Sequence, residues 1–313
     1  MSDTMIVCVL KYFLNRVEDS EIRFILQQTS DLSNHHIQEL TNMFNKEKLV
    51  LVDGFTDRDV NINAPRLFTD SFYLHYSTFM SRVAMHSYTL ILNQVARSDI
   101  RVFLSKRINE YIDLYNTATD LRLSKGVAIR APRVEVSKEV QYVKSQSFIT
   151  DWFGEKRPLL TVEITHIFGI IFSNLVGRAL TTGFGQVSKD KNISKYFFEG
   201  ESIATKYIHE LTGLLTNERI PIPSTSDSFV TSSIVSPFSE KLMLNHSASM
   251  SSSAISSFGM ALANTMRSDI ETKYIKYTAQ IMKYTKKGAN ILIDNGWLQQ
   301  PPQAVNHENL VGV

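Results

Sequence analysis

Apolar side chains recur at three- and four-residue spacing along most of this chain, and the pattern breaks often enough to count helices. Ile6, Val9, Leu10, Phe13 and Leu14 predict a short first helix over residues 4–17. Glu18-Asp19-Ser20-Glu21 makes a polar turn and puts carboxylates at the head of a second helix, which Ile22, Ile25, Leu32, Ile37, Leu40 and Phe44 carry to about Lys46. A break from Lys48 to Pro65 follows. The third helix runs from about Arg66 to Ala96. A fourth opens with Ser98 as its expected N-cap and stops at Gly126. After a connector, Val127 to about Glu155, with a turn at Asp151-Trp152-Phe153-Gly154, four more helices fall near 159–187, 192–216, 235–264 and 268–293. A second break, marked by Pro221 and Pro223, separates the middle two of these.

The two sets of four are copies. Arg97-Ser98-Asp99-Ile100 returns as Arg267-Ser268-Asp269-Ile270, 170 residues on, and the same offset links Phe68 to Phe238, Leu74 to Leu244, Met80 to Met250 and Gly126 to Gly296. Ile37-Gln38-Glu39-Leu40-Thr41 matches Ile208-His209-Glu210-Leu211-Thr212 at an offset of 171, a slippage that one loop insertion explains. One structural unit is therefore used twice, dividing the chain into 1–145 and 146–313. Short turns join helices one to two and three to four, so each pair is antiparallel. The 48–65 break is different. A helix of about 28 residues is roughly 42 Å long, and 18 extended residues reach about 60 Å, enough to traverse the bundle and make helices two and three parallel. The expected fold is all-α: two tandem ferritin-like antiparallel four-helix bundles with a long crossover between helices two and three. Met1 aligns with Phe172, so the first helix of unit one lacks counterparts of 158–171. The open flank this leaves is expected to be a contact surface, for self-association or for a protein partner.

Several segments carry a resemblance: Gly54-Phe55-Thr56, Pro65-Arg66-Leu67-Phe68-Thr69-Asp70, Arg97-Ser98-Asp99-Ile100, Lys156-Arg157-Pro158-Leu159, Pro237-Phe238-Ser239-Glu240 and Asn295-Gly296-Trp297-Leu298-Gln299-Gln300-Pro301-Pro302. Through them the chain resembles domain-of-unknown-function family 3231, ferritin-like proteins of spore-forming bacteria sometimes described as similar to a spore coat protein. The resemblance covers nearly the whole chain. It implies a pair of ferritin-like bundles, a link to sporulation or the spore coat, and little biochemistry.

Composition narrows the setting. With 313 residues and 43% hydrophobic side chains there is material for two cores. A net charge of +2 supplies no field that would hold nucleic acid or an anionic membrane. The one cysteine, Cys8, cannot form an internal disulfide, which fits a reducing compartment. The apolar run Met5 to Leu10 is too short to span a bilayer. A cytoplasmic protein with neither nucleic-acid nor membrane partners is the expectation, with spore association resting on the resemblance alone.

A di-iron centre in such a bundle needs glutamates on two helices and Glu-x-x-His on the other two. Glu163-Ile164-Thr165-His166 has the spacing but lies on the first helix of unit two, whose fourth helix has no histidine. Unit one offers Glu110 and Asp113 on its fourth helix, again without one. The crossover topology points to another gathering, where helix one starts, helix two ends and helix four starts. It collects Glu163, His166, His209, Glu210, Arg267 and Asp269 in unit two, and His35, His36, Glu39, Arg97 and Asp99 in unit one. On one reading the arginine bridges two carboxylates and pins helix four to helix two, with no cofactor. On the other, Glu163, His166, Glu210 and Asp269 hold a single iron or manganese ion. Arg267 favours the first, because a fixed cation repels a divalent ion by several kcal/mol at moderate dielectric.

Lesser motifs read as structure. Asp57-x-Asp59-x-Asn61-x-Asn63 has Ile62 and Phe68 where a calcium loop needs glycine and glutamate. Asp70 and Glu240 are matched charges at helix starts. Gly183-Phe184-Gly185 follows no strand, so it is no dinucleotide loop. Ser247 to Ser257 shows no base partner. The function expected is a non-catalytic structural or interaction protein; the alternative is a metal-binding oxidoreductase with a reduced ligand set in the second bundle.

Overall fold

The computed structural model describes residues 1–135, 137–149, 156–223 and 228–306. Eight α-helices are found among them: α1 (Ser2–Arg16), α2 (Ser20–Lys46), α3 (Asp70–Leu92), α4 (Ser98–Ser124), α5 (Thr161–Val187), α6 (Lys191–Asn217), α7 (Glu240–Ala263) and α8 (Ser268–Asp294). The Asp151-Trp152-Phe153-Gly154 turn lies outside the described residues.

Side-chain pairs fix the direction of every helix. At the head of α3, Asp70 accepts the backbone N–H groups of Glu18 and Asp19, just before α2 begins. At the head of α4, Arg97 reaches Glu47, just after α2 ends. Helices α2 and α3 are therefore parallel and the 48–65 segment crosses the bundle. Unit two repeats this: Glu240 accepts from Lys189 and Asp190, and Arg267 reaches Glu218. Asp70 and Glu240 thus hold the α1–α2 and α5–α6 turns, beyond the helix-end role read from sequence.

Two helix starts differ from expectation. Helices α3 and α7 begin at Asp70 and Glu240, four and five residues later than the periodicity suggests. Thr69 and Ser239 cap them by accepting the N–H of Phe72 and Leu242, and the preceding residues are spent on pairing. The N-cap of α4 is Arg97, and Ser98 makes no cap hydrogen bond. The C-terminal ends match across the repeat, with left-handed Gly126 and Gly296 after α4 and α8.

The crossover straps join the units. Asn61 donates its N–H to Pro237 O and Ser239 to Asp59 O, while Thr231 donates to Leu67 O and Thr69 to Phe229 O. Shifting either pair by 170 residues produces the other, so each strap pairs with its copy about a pseudo-two-fold axis. Tyr76 and His246, equivalent residues, hydrogen-bond to each other at 2.7 Å and so sit on that axis. Ring contacts cross the same seam, Phe68 with Phe184, Tyr12 with Phe238, and Phe72 with Phe229. Gly183 in α5 is bare because a Cβ there would stand 2.7 Å from the Phe68 ring. The expected two cores are consequently one: buried residues of both units form a single contiguous cluster.

Helix α5 is long and apolar enough to cross a membrane, but here it is the central helix, packed on α6, α7 and α3. Its mate α1 is 15 residues long against 27. The far end of unit one is correspondingly bare. Ile91 is 47% exposed where its equivalent Ala261 is fully buried.

Candidate functional site

The expected polar end of unit two exists, but it divides into separate groups. Glu163, fully buried, receives the Arg157 guanidinium at 2.8 and 2.9 Å and the backbone N–H groups of Leu160 and Met266. Burial pulls its carboxyl up, yet the Arg157 fork and the two N–H groups outweigh burial and hold it below the usual glutamate range. It ties the head of α5 to the backbone two residues before α8.

Asp269 belongs to a second group. Arg267 Nε and Nη2 meet its two oxygens at 2.9 and 3.1 Å, and Lys156 adds a contact at 2.8 Å. Burial opposes ionisation, but these cations hold the Asp269 carboxyl at about 2. The other face of Arg267 goes to Glu218, whose second oxygen accepts the N–H of Leu159. Arg267 therefore does bridge two carboxylates and does pin α8 to α6, through Glu218 at the end of α6 and not through Glu210. Unit one repeats the triad as Glu47, Arg97 and Asp99. The matched Glu47 and Glu218 were readable at the offset of 171, each followed by a left-handed residue, Lys48 and Arg219.

Glu210 sits in a third group, accepting from Tyr277 at 2.6 Å beside Lys206 and Lys273. His166 joins none of these; burial lowers its pKa. His209, Glu210 and Asp269 line one shallow groove with Lys156, Lys273 and Lys276. The structure thus does not bring Glu163, His166, Glu210 and Asp269 to one point. Each of the three carboxylates is filled by its own cation, hydroxyl or N–H donors. This donor set does not fit an iron or manganese ion, and among the described residues no three His, Cys, Asp or Glu side chains are arranged as ligands.

In unit one, His35, His36 and Glu39 separate from Arg97 and Asp99 and combine with α4. Buried His36 meets Glu110 at 3.2 Å and Asp3 at 3.6 Å. Buried Arg107 lies 3.0 Å from Glu39 and 3.1 Å from Glu110, over the Phe103 ring. The equivalent positions in unit two are Tyr207, Glu210, Tyr277 and Gln280, which contact one another in the same way. One geometry is built from charges in the first copy and from phenols and an amide in the second. Arg107 was missed because its counterpart is not basic.

The middle of unit two holds a cavity of about 80 Å³ lined by Gly177, Thr181, His246, Ser247, Ser251 and Tyr284 among others. The serines serve the fold: Ser247 lies between the Tyr196 and Tyr284 hydroxyls, and Ser251 bonds back to Ser247 O. Burial pushes His246 down to about 4, so it is neutral and suited to its Tyr76 bond. Asp59 accepts from Thr56 N–H and Ser239 Oγ, and Asn61 accepts from Asn63 N–H, so the acidic loop engages its own chain.

The family described as Protein of unknown function (DUF3231) matches residues 1–140 and again 147–310. No curated protein matches the sequence. Among solved structures, a candidate spore coat protein from Bacillus halodurans C-125 aligns over 48% of this chain and 98% of its own, at 13% identity and a TM-score of 0.44.

Proposed function

The chain belongs to the DUF3231 family in both of its halves, and from that footing we propose that it is a non-catalytic structural or interaction protein. One observation carries the reading. The carboxylates that a metal centre or an acid–base pair would recruit are spent on holding helix ends, Glu163 on Arg157 and two N–H groups, Asp269 on Arg267 and Lys156. Groups engaged in this way stabilise a shape: Glu163 has all four acceptor sites filled and Asp269 three. Contact with a partner or a second copy is assigned to the flank of unit one that the short α1 leaves open. Association with the spore is part of the same proposal and rests on the family resemblance.

Elemental analysis of the purified chain tests the central point. Iron or manganese at about one per chain would overturn it and restore the oxidoreductase alternative. Light scattering tests the contact surface, and the location of a tagged chain in sporulating cells tests the spore association.

A further inference from the structure

The repeat provides its own control for side chains the fold does not require. Arg82 on α3 and Arg122 on α4 stand out. Their guanidinium carbons lie 5.3 and 5.0 Å from the centre of the same ring, Phe172 on α5, so two cations share one small volume at the seam between the units. Arg122 is buried, 6% exposed, and Arg82 is half-buried. Among the described residues neither makes a hydrogen bond or an ion pair through its side chain, and Arg122 Nε is buried without a partner.

Buried cations are ordinarily paired with carboxylates, because desolvation is unfavourable and repulsion adds to it. The other buried arginines have carboxylates beside them: Arg107 lies within 3.0–3.1 Å of Glu39 and Glu110, although its nitrogens make no hydrogen bond, and Arg267 has Asp269 and Glu218. The groups that act on the charge of Arg82 and Arg122 include no carboxylate, and His86 lies in the field of Arg82. Tyr115 acts electrostatically on both. Thr119, whose Oγ1 is buried and unpartnered, lies between Tyr115 and Arg122 on the same face of α4. Gly169 on α5 leaves bare backbone beside Arg82 Nη2. Burial pushes Arg122 down to about 10 and lowers Arg82 as well, yet both remain charged at neutral pH.

The equivalent residues in unit two are Ser252, exposed, and Leu292, buried. The same bundle thus closes with a hydroxyl and an aliphatic group where unit one carries two guanidinium groups, so packing does not demand them.

We propose that Arg82 and Arg122 form a binding site for a small oxyanion, a phosphate or a carboxylate, at the seam of α3, α4 and α5. Planar guanidinium forks suit such groups. The Phe172 ring keeps both cations in place by cation–π contact when the anion is absent, and the Tyr115 and Thr119 hydroxyls offer further donors. The site goes beyond a purely architectural role and makes no use of the carboxylate groups discussed above.

The test compares the wild-type chain with the double variant Arg82→Ser, Arg122→Leu, which carries the side chains of unit two. Melting temperature and calorimetric heat are measured with sodium phosphate, sodium malonate and sodium chloride at matched ionic strength. The expected result is a saturable rise in wild-type melting temperature with phosphate, malonate or both, with matching heat of binding. The double variant is expected to melt at or above the wild type in chloride and to lose the specific rise and the heat. Response to phosphate alone or to malonate alone identifies which oxyanion the site takes. No response of the wild type to either anion, or an equal response in the double variant, overturns the proposal. If the double variant does not fold, Arg82→Ser alone is used; a tenfold or greater weakening supports the site and unchanged binding overturns it.

Discussion

Replacing Glu163 with alanine separates a structural carboxylate from a metal ligand. The side chain is fully buried and accepts four hydrogen bonds, two from Arg157 and one each from the N–H groups of Leu160 and Met266. Stranding a buried cation is destabilising by about 3–5 kcal/mol, and each orphaned N–H adds about 1 kcal/mol. Arg157 is not wholly stranded. It retains the carbonyls of Phe148 and Pro158 and the Phe148 ring, and its side chain is 10% exposed, so it can turn partly to water. A net loss of about 3–4 kcal/mol is expected, which for a chain of this size lowers the melting temperature by roughly 5 °C. Glu163→Gln keeps one acceptor oxygen, for either the Leu160 or the Met266 N–H, and turns an amide NH2 toward the other donors, so it should lose less than alanine but not restore the site.

The same contacts set a pH signature. Glu163 has its folded pKa below its unfolded value of about 4.3, so its contribution is complete above that value and lost as pH falls through the folded pKa. The gap between wild type and Glu163→Ala should be full at pH 7 and should close progressively below about pH 4. Thermal melts followed by circular dichroism from pH 3 to 7 measure it. Identical melting at pH 7, or a gap that stays constant down to pH 3, refutes the reasoning. A variant that melts normally but loses bound metal makes Glu163 a ligand.

Arg267→Met should destabilise by about 3 kcal/mol, because it strands Asp269 and Glu218 beside a buried site, whereas Arg97→Met, the same residue in the other copy, should leave the melting temperature unchanged: Arg97 and its partners are exposed to solvent. Equal losses in the two melts would mean that burial does not set the value of this triad. Within α6, Gly200→Ala should destabilise by about 1–2 kcal/mol through overpacking, since its Cβ would collide with the hydroxyl of Tyr284, whose ring is stacked on Tyr196. Gly213→Ala in the same helix meets nothing within 4 Å and should stabilise by up to about 1 kcal/mol; urea unfolding of both variants reads the opposite signs.

Helix positions and the crossover were legible because they depend on local periodicity, loop reach and a repeat. What escaped was chemistry that the repeat does not preserve. Arg107 completes the buried group around His36 and Glu110, but its counterpart is Tyr277, so comparison of copies passes over it. Glu210 and Asp269 line one groove but hold different partners, for a different reason. Sharing an end of a bundle places side chains on the same few turns, and helical phase then decides which of them meet. Glu218 faces Arg267, whereas Glu210, two turns back, faces Tyr277. Phase could have been read from Glu47 and Glu218, which keep the offset of Glu39 and Glu210. The exchange of straps was not readable in either unit alone, since neither contains its partner.

That exchange carries a consequence for the halves taken singly. Among the described residues every backbone bond between the straps has its mate 170 residues away, so the surface each unit offers is complementary to the surface of its copy. Unit two by itself, residues 146–313, would leave the strap edges at 229–231 and 237–239 unpaired and would uncover parts of Phe184, Phe229 and Phe238. Phe184 also packs on Phe197 and Phe238 within its own unit, but the faces of the three rings that meet unit one would form an exposed apolar patch next to unpaired strap edges, which a second copy can cover. The half-chain is therefore predicted to fold as a symmetric dimer that re-creates the seam. Its one mismatch lies on the axis, where His246 would meet its own copy in place of Tyr76, and two neutral imidazoles can still share a hydrogen bond. Light scattering across a concentration series measures the outcome. A half-chain that keeps full helicity and stays monomeric at about 100 μM, well above the concentration at which a micromolar complex forms, would show that the straps follow the packing of the units and do not drive it.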